Sequence, residues 1–216
     1  MTLEELGNLI KARRSVRKFE DKPVPEDLLM KAVELATWAP NSGGQQNWRF
    51  YIILNKDTIK AIADAVQATA DKVAAYPEAE RYGEEAARFR RSASFFRSAP
   101  AAIAVAVGQY RIATDHILEA RAKIDPEAAK IRDWRATSAS RIQTAGAATA
   151  TLLLVLQQMG LGATYMSGPM QAKGHIEKIL KVPPEMDLVT FVPVGYPAEA
   201  PVKTRKPLSE VCEVIR

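Results

Sequence analysis

Apolar positions recur with two distinct periods along the chain. Leu3, Leu6, Leu9 and Ile10 return every three or four residues and predict a helix over residues 3–14. The stretch VRKFEDKPVPEDLL has no such period and reads as extended chain followed by a turn, with Pro25 and Glu26 opening the next helix. That helix, over 26–37, places Leu28, Leu29, Ala32, Val33 and Ala36 on one stripe. It stops at Trp38-Ala39-Pro40, because the residue before a proline resists helical geometry. Asn41–Asn47 is a loop by its Asn, Ser and Gly content, and Trp48–Leu54 predicts a strand. An alanine-rich helix over 57–75 follows, then a break between Tyr76 and Gly83. The next helix, over 84–98, carries Phe89, Phe95 and Phe96 among arginines. Ala101–Val107 is an unbroken apolar run, the pattern of a strand covered on both faces. Helices are expected over 111–123 and over 126–159, the second broken near Ser138. Gly160 to Pro169 turns, forms a short strand and turns again. A small helix over 172–181 and a strand over 187–195 complete the pattern, and Pro193, Pro197, Pro201 and Pro207 keep the tail extended. These elements predict an α+β chain with about four strands, no regular βαβ alternation, no repeat and no linker, hence one domain over 1–216.

From Ile142 to Ala172 the chain carries no charge. Gln143, Thr144, Thr149, Thr151, Gln157 and Gln158 interrupt it, whereas a spanning helix needs ~20 predominantly apolar residues. The expectation is no membrane insertion and a helix buried on nearly all sides. Its small residues, TAGAATAT, would let another helix approach closely, within the subunit or across a dimer.

Composition narrows the classes further. Apolar residues make up 47% and charged residues 25% of 216, which excludes a disordered tail protein. One cysteine, Cys212, makes no internal disulfide, which fits a reducing compartment such as the cytoplasm. The acidic start MTLEELG does not read as a signal peptide. With only His116 and His175 and that one cysteine, no zinc constellation is expected. The net charge is +5, but residues 11–18 (KARRSVRK) and 203–206 (KTRK) hold eight basic residues and no acid; without them 22 basic residues face 25 acidic ones. A nucleic-acid-binding face spreads its cations more widely, so no nucleic acid partner is expected. Two compact clusters suit a smaller anion such as a phosphate if the fold brings them together, although RRSVRK read by itself is equally a solvated helix end.

No nucleophile motif or phosphate-binding loop is present. GLGATY at 160–165 lacks the third glycine of a dinucleotide fingerprint and follows a helix, so it reads as a helix cap leading into a strand. The loop after Trp38 is richer. Asn41, Ser42, Gln45, Gln46 and Asn47 lie between Trp38 and Trp48, an arrangement that suits a planar hydrogen-bonding ligand or an ordinary turn.

Taken in order, Arg13-Arg14-Ser15-Val16-Arg17-Lys18-Phe19, then Ala39-Pro40-Asn41-Ser42 with Asn47-Trp48-Arg49-Phe50, then Gly160-Leu-Gly162, then Val192-Pro-Val-Gly195-Tyr-Pro197, then Lys203-Thr-Arg205-Lys206-Pro207-Leu208, the chain resembles the FMN-dependent nitroreductase superfamily over almost its whole length. The resemblance implies a three-layer α/β/α sandwich with a mostly antiparallel sheet, an intertwined homodimer, and an FMN at each interface site. It assigns Arg13, Arg14, Ser15, Lys203 and Arg205 to the phosphate and ribityl chain, and Arg17 to the flavin N1/O2 edge. Asn41, Ser42 and Gln46 fall along the pyrimidine side, and Met166, Ser167 and Gly168 pass flavin N5. The loop departs from the family by placing Asn47 where proline usually precedes the tryptophan.

The activity implied is FMN-dependent NAD(P)H oxidation with a nitroaromatic, quinone or similar small molecule as acceptor, in a ping-pong cycle needing no acid or base from the protein. RRSVR, GYP and RKPL also resemble the iodotyrosine deiodinase branch, which makes reductive dehalogenation of a halophenol the alternative. That branch places a threonine hydroxyl at flavin N5, where this chain has Gly168, which favours hydride chemistry. A substrate lid would fall in residues 76–98, with Tyr82, Arg88 and Arg91 as candidates. A non-catalytic flavin-binding protein is the reading from another class.

Overall fold

In the computed structural model, which describes residues 2–216, the first helix is α1, Leu3–Ala12. Its start is fixed reciprocally: the Glu5 N–H donates to the Thr2 hydroxyl at 3.2 Å and the Thr2 N–H donates to the Glu5 carboxylate at 2.7 Å. Helix α2 is Glu26–Ala36, and a 3-10 turn at Ser42–Gly44 leads into β1, Trp48–Ile53. Helix α3, Lys56–Ala74, begins where the Asn55 side chain accepts from the Thr58 N–H at 2.8 Å. A 3-10 segment, Pro77–Tyr82, precedes α4, Gly83–Ser92. Strand β2 is Ala101–Gly108; α5 (Ala113–Arg121), α6 (Pro126–Thr137) and α7 (Ser140–Gln158) follow. The chain closes with β3 (Gly162–Ala163), α8 (Lys173–Leu180) and β4 (Met186–Gly195).

The four strands form one sheet in the order β1-β2-β4-β3, with every ladder antiparallel. Alternation along β2 divides the core. Ala102 and Ala104 join Ile59, Ile62, Val66, Phe96, Ile176 and Phe191 on the face covered by α3 and α8. Ala101 and Ile103 face the other way, where Leu29 and Ala32 of α2 meet Leu152 and Leu156 of α7. Helices thus cover both faces of a sheet whose central strand is buried from Ala101 to Val107. This is the expected α/β/α layering.

The structure corrects three expectations and bears out a fourth. The helix expected over 84–98 ends at Ser92, and a separate 3-10 turn spans Phe95–Ser98, since this break lets Phe96 drop into the core, 4.8 Å from Phe191 between ring centroids. The break expected near Ser138 is found there: Ala139, with a left-handed backbone (φ 43°), separates α6 from α7. The extended tail makes one 3-10 turn at Leu208–Glu210. Helix α7 is not buried on nearly all sides: Thr144, Ala145, Ala148, Thr149, Leu152, Leu153 and Leu156 face inward, while Gln143 and Ala150 are exposed and a Cβ at Gly146 would meet nothing within 4 Å. The helical stretch Pro126–Gln158 has the length and composition of a membrane span, yet it changes direction at Ala139 and α7 contributes seven residues to the protein core.

Candidate active site

The segment after α1 is clasped between β3 and the chain following β4. The Val16 N–H donates to the Ala163 carbonyl at 3.1 Å, and the buried Thr164 hydroxyl donates to the Val16 carbonyl. On the other side, the Glu20 N–H reaches Tyr196 O at 2.9 Å and the Ala198 N–H reaches Lys18 O at 2.9 Å. One carboxylate oxygen of Glu199 accepts both the Arg17 N–H, at 2.6 Å, and the Lys18 N–H, at 3.2 Å. Two glycines make the approach possible. A Cβ at Gly162 would stand 2.8 Å from the Val16 side chain, and one at Gly195 would stand 2.7 Å from Pro100 and 2.9 Å from Phe19. Residues 13–18 and 196–205 are therefore neighbours although they lie at opposite ends of the sequence.

The result is a cleft of about 720 Å³ lined by Lys11, Arg13, Arg14, Ser15, Lys203 and Arg205, with Ile10, Leu153, Leu154 and Tyr165 as its apolar wall. No carboxylate lines it, and no ion pair engages Arg13, Arg14, Lys203 or Arg205 among the described residues. Arg13 is held below its ordinary pKa, first by burial and then by the positive charges of Arg205 and Arg14. Clustered cations that repel one another without an acidic partner suit an anion. Helix α7 leaves this wall uncrowded because Gly146 and Ala150 face it.

Tyr165 also lines a second cavity, of about 320 Å³, with Arg17, Phe95, Met166, Ser167, Gly168 and Gln171. Met166 is fixed to β4 by reciprocal backbone bonds with Phe191, 3.0 and 3.1 Å, and its carbonyl accepts from the Thr190 hydroxyl at 2.9 Å. Ser167 and Gly168 follow, exposed, and a Cβ at Gly168 would meet open space. The Arg17 guanidinium lies 5.9 Å from the Phe95 ring centroid, and its Nη1 donates to Ser15 O at 3.4 Å.

Phe89 and Gln171 continue this cavity into a third, of about 380 Å³, lined by Val73, Ala74, Tyr76, Glu78, Ala79, Tyr82, Glu85 and Ala86. Tyr82 is in this lining. Arg91 instead pairs with Glu84 and lines a fourth cavity, which adjoins the third at Ala74, Ala79 and Ala86, and Arg88 lines none of these spaces.

Asn41, Ser42 and Gln46 line none of the three connected cavities. Their loop is tied to the start of α7: the Ser42 N–H donates to the Thr144 hydroxyl at 3.1 Å, and Ser42 Oγ donates to Ser140 O at 3.3 Å. Asn41 Oδ1 accepts from the Gln46 N–H at 3.0 Å, which holds Gln46 in a left-handed conformation (φ 48°). One chain thus brings together Arg13, Arg14, Ser15, Arg17, Met166, Ser167, Gly168, Lys203 and Arg205 and leaves the loop on another face. Sequence reasoning missed Tyr165, which joins the two inner cavities, and Glu199, which fixes Arg17; an isolated glutamate carries no signal of a contact 182 residues away.

Three ion pairs on two aspartates brace the surrounding helices. Asp187 of β4 is held below the ordinary carboxylate range, chiefly by the Lys173 ammonium at 2.6 Å and also by Arg141. Asp115 is pulled to about 2 by the Arg135 guanidinium and by the Ile112 N–H. No group of three or more His, Cys, Asp or Glu side chains suited to a metal ion occurs among the described residues.

The family model described as "Nitroreductase family" matches residues 10–196. A protein of Methanothermobacter thermautotrophicus, with the provisional name NADH dehydrogenase/NAD(P)H nitroreductase, is 25% identical over 195 residues, covering 89% of this chain and 77% of that protein. Among solved structures, a BluB-like flavoprotein from Clostridium difficile 630 superposes with a TM-score of 0.84 at 25% identity, covering 98% of this chain and 99% of the other. An iodotyrosine deiodinase bound to FMN and 3-iodo-L-tyrosine superposes with a TM-score of 0.70 at 22% identity, covering 98% and 97%.

Proposed function

Because the chain belongs to the nitroreductase family of flavin oxidoreductases, we propose that it is an FMN-dependent NAD(P)H oxidoreductase whose acceptor is a nitroaromatic, a quinone or a similar small molecule. The observation that carries this reading is the acid-free cation cleft running through Tyr165 into the cavity of Arg17 and Met166–Gly168. A nucleotide with an anionic tail and a planar ring fits that sequence of spaces. When bound, FMN supplies the relay by which a hydride leaves NAD(P)H and two electrons reach the acceptor.

The protein's own residues bind and tune. Arg13, Arg14, Lys203 and Arg205 hold the phosphate, and Ser15 donates to the ribityl chain. Arg17 would face the N1/O2 edge, where a fixed cation would stabilise the negative charge gained on reduction. The chain at Met166–Gly168 would pass N5, and the absence of a Cβ at Gly168 leaves room for a ring to stack. Overall, NAD(P)H, a proton and a nitro compound give NAD(P)⁺, a nitroso compound and water. A quinone takes the same hydride and proton to become a hydroquinone. Donor and acceptor occupy the same slot in turn, which makes the cycle ping-pong.

Asn41, Ser42 and Gln46 reach the pyrimidine side from the second subunit of a homodimer. What supports this is the exposed apolar surface: Trp38 is 83% exposed, and Leu208, Val211, Val214 and Ile215 are also exposed. Halophenol dehalogenation is the alternative, favoured by the likeness to the deiodinase. A halotyrosine carries both an ammonium and a carboxylate; Glu78 and Glu85 of the outer cavity suit the first, and its lining offers no cation for the second.

The test is anaerobic turnover by the purified protein. The expected result is a yellow protein that oxidises NADH or NADPH only when a nitroaromatic or quinone is present, with parallel double-reciprocal plots. A colourless protein, or a yellow one that reduces none of these acceptors, contradicts the reading; turnover of halotyrosine alone transfers it to the alternative.

A further inference from the structure

We propose that the outer cavity selects aromatic acceptors bearing a positive charge, an amine or quaternary ammonium substituent, over those bearing a carboxylate. This deepens the oxidoreductase reading and rests on it. The cavity gathers three aromatic rings, Tyr76, Tyr82 and Phe89, around about 380 Å³, enough for a substituted single ring. Its only charged lining groups are Glu78 and Glu85, and no ion pair engages either of them among the described residues.

The neighbouring cations are accounted for elsewhere. Arg90 pairs with Asp71 and Arg91 with Glu84, while Arg81 and Arg88 do not line the space. Aromatic faces and free carboxylates both attract an ammonium group and repel a carboxylate. The contrast with the inner cleft is direct, since that lining holds Lys and Arg without an acid and this one holds Glu without a base. The two ends of the connected cavities therefore sort ligands oppositely: an anionic tail goes inward, and a cationic substituent lies outward beneath α4. Phe89 and Gln171, shared with the cavity of Arg17 and Gly168, place the acceptor's ring between the two.

The experiment compares (4-nitrobenzyl)trimethylammonium, 4-nitrobenzyl alcohol and 4-nitrobenzoate as acceptors for wild type and for Glu78→Gln/Glu85→Gln. Comparing ratios between the two proteins cancels the intrinsic reactivity of the nitro groups. Two exposed carboxylates near the ligand give an expected loss of about tenfold in the ammonium-to-carboxylate ratio of kcat/KM in the double variant, with the alcohol unchanged. The wild-type ratio also falls as salt is raised. A ratio that the substitutions leave unmoved overturns the inference while sparing the oxidoreductase reading. Absence of turnover with all three compounds strikes that reading instead, and a binding titration then decides the inference. Benzyltrimethylammonium is expected to bind wild type more tightly than benzoate and to lose that advantage in the double variant; equal binding of the two probes to wild type overturns it.

Discussion

Arg17 shows how one residue is given a chemical task by its neighbours. Its backbone N–H is anchored on Glu199 at 2.6 Å, its guanidinium lies beside Phe95, and no ion pair engages that guanidinium among the described residues. An unneutralised cation beside a reducible ring favours the reduced form. Arg17→Ala is therefore expected to shift the bound flavin's midpoint potential to a more negative value while leaving FMN affinity largely intact, as read by spectroscopic redox titration against dyes. A potential that does not move removes the role. The cations that line the cleft were legible in the sequence as two compact basic clusters, because they stand without acidic neighbours in the chain. Glu199 was not legible, since its contact depends on two distant extended segments meeting.

The elements that carry the site depend on close approach. The segment from Ser15 to Glu20 lies against the sheet only because Gly162 and Gly195 leave space for Val16, Phe19 and Pro100. Gly162→Ala and Gly195→Ala should each cost ~1–3 kcal/mol by overpacking, a Tm lower by ~2–4 °C per kcal/mol, and should weaken FMN binding by displacing the arginines. Gly174→Ala, in α8 where no atom lies within 4 Å, is the control and should be neutral or stabilising. Unchanged Tm and affinity in the first two variants contradict the clasp. Helices and strands with strong periodicity were readable because burial repeats along them. The break after Ser92 was not, since serine gives no local signal and the cause is tertiary, Phe96 turning into the core; the break at Ala139 was legible to within a residue.

At the scale of the molecule, two cationic segments from opposite ends of the chain form one cleft, while the polar loop at Asn41–Gln46 faces elsewhere and large apolar side chains stay exposed on the tail. The layered fold was readable from the element pattern. The connected cavities were not, because they arise between elements with no shared sequence signal: Phe89 and Gln171 lie on either side of the central strand in sequence. The central claim is that the cleft grips a flavin by its phosphate, and it is tested most directly by comparing the affinities of FMN and riboflavin for wild type and for Arg13→Ala/Arg205→Ala. Charge-assisted hydrogen bonds at ~1.5–3 kcal/mol each predict FMN binding at least about 100-fold tighter than riboflavin, with the preference sharply reduced in the double variant, which keeps Arg14 and Lys203. Equal affinity of wild type for the two flavins would contradict the account.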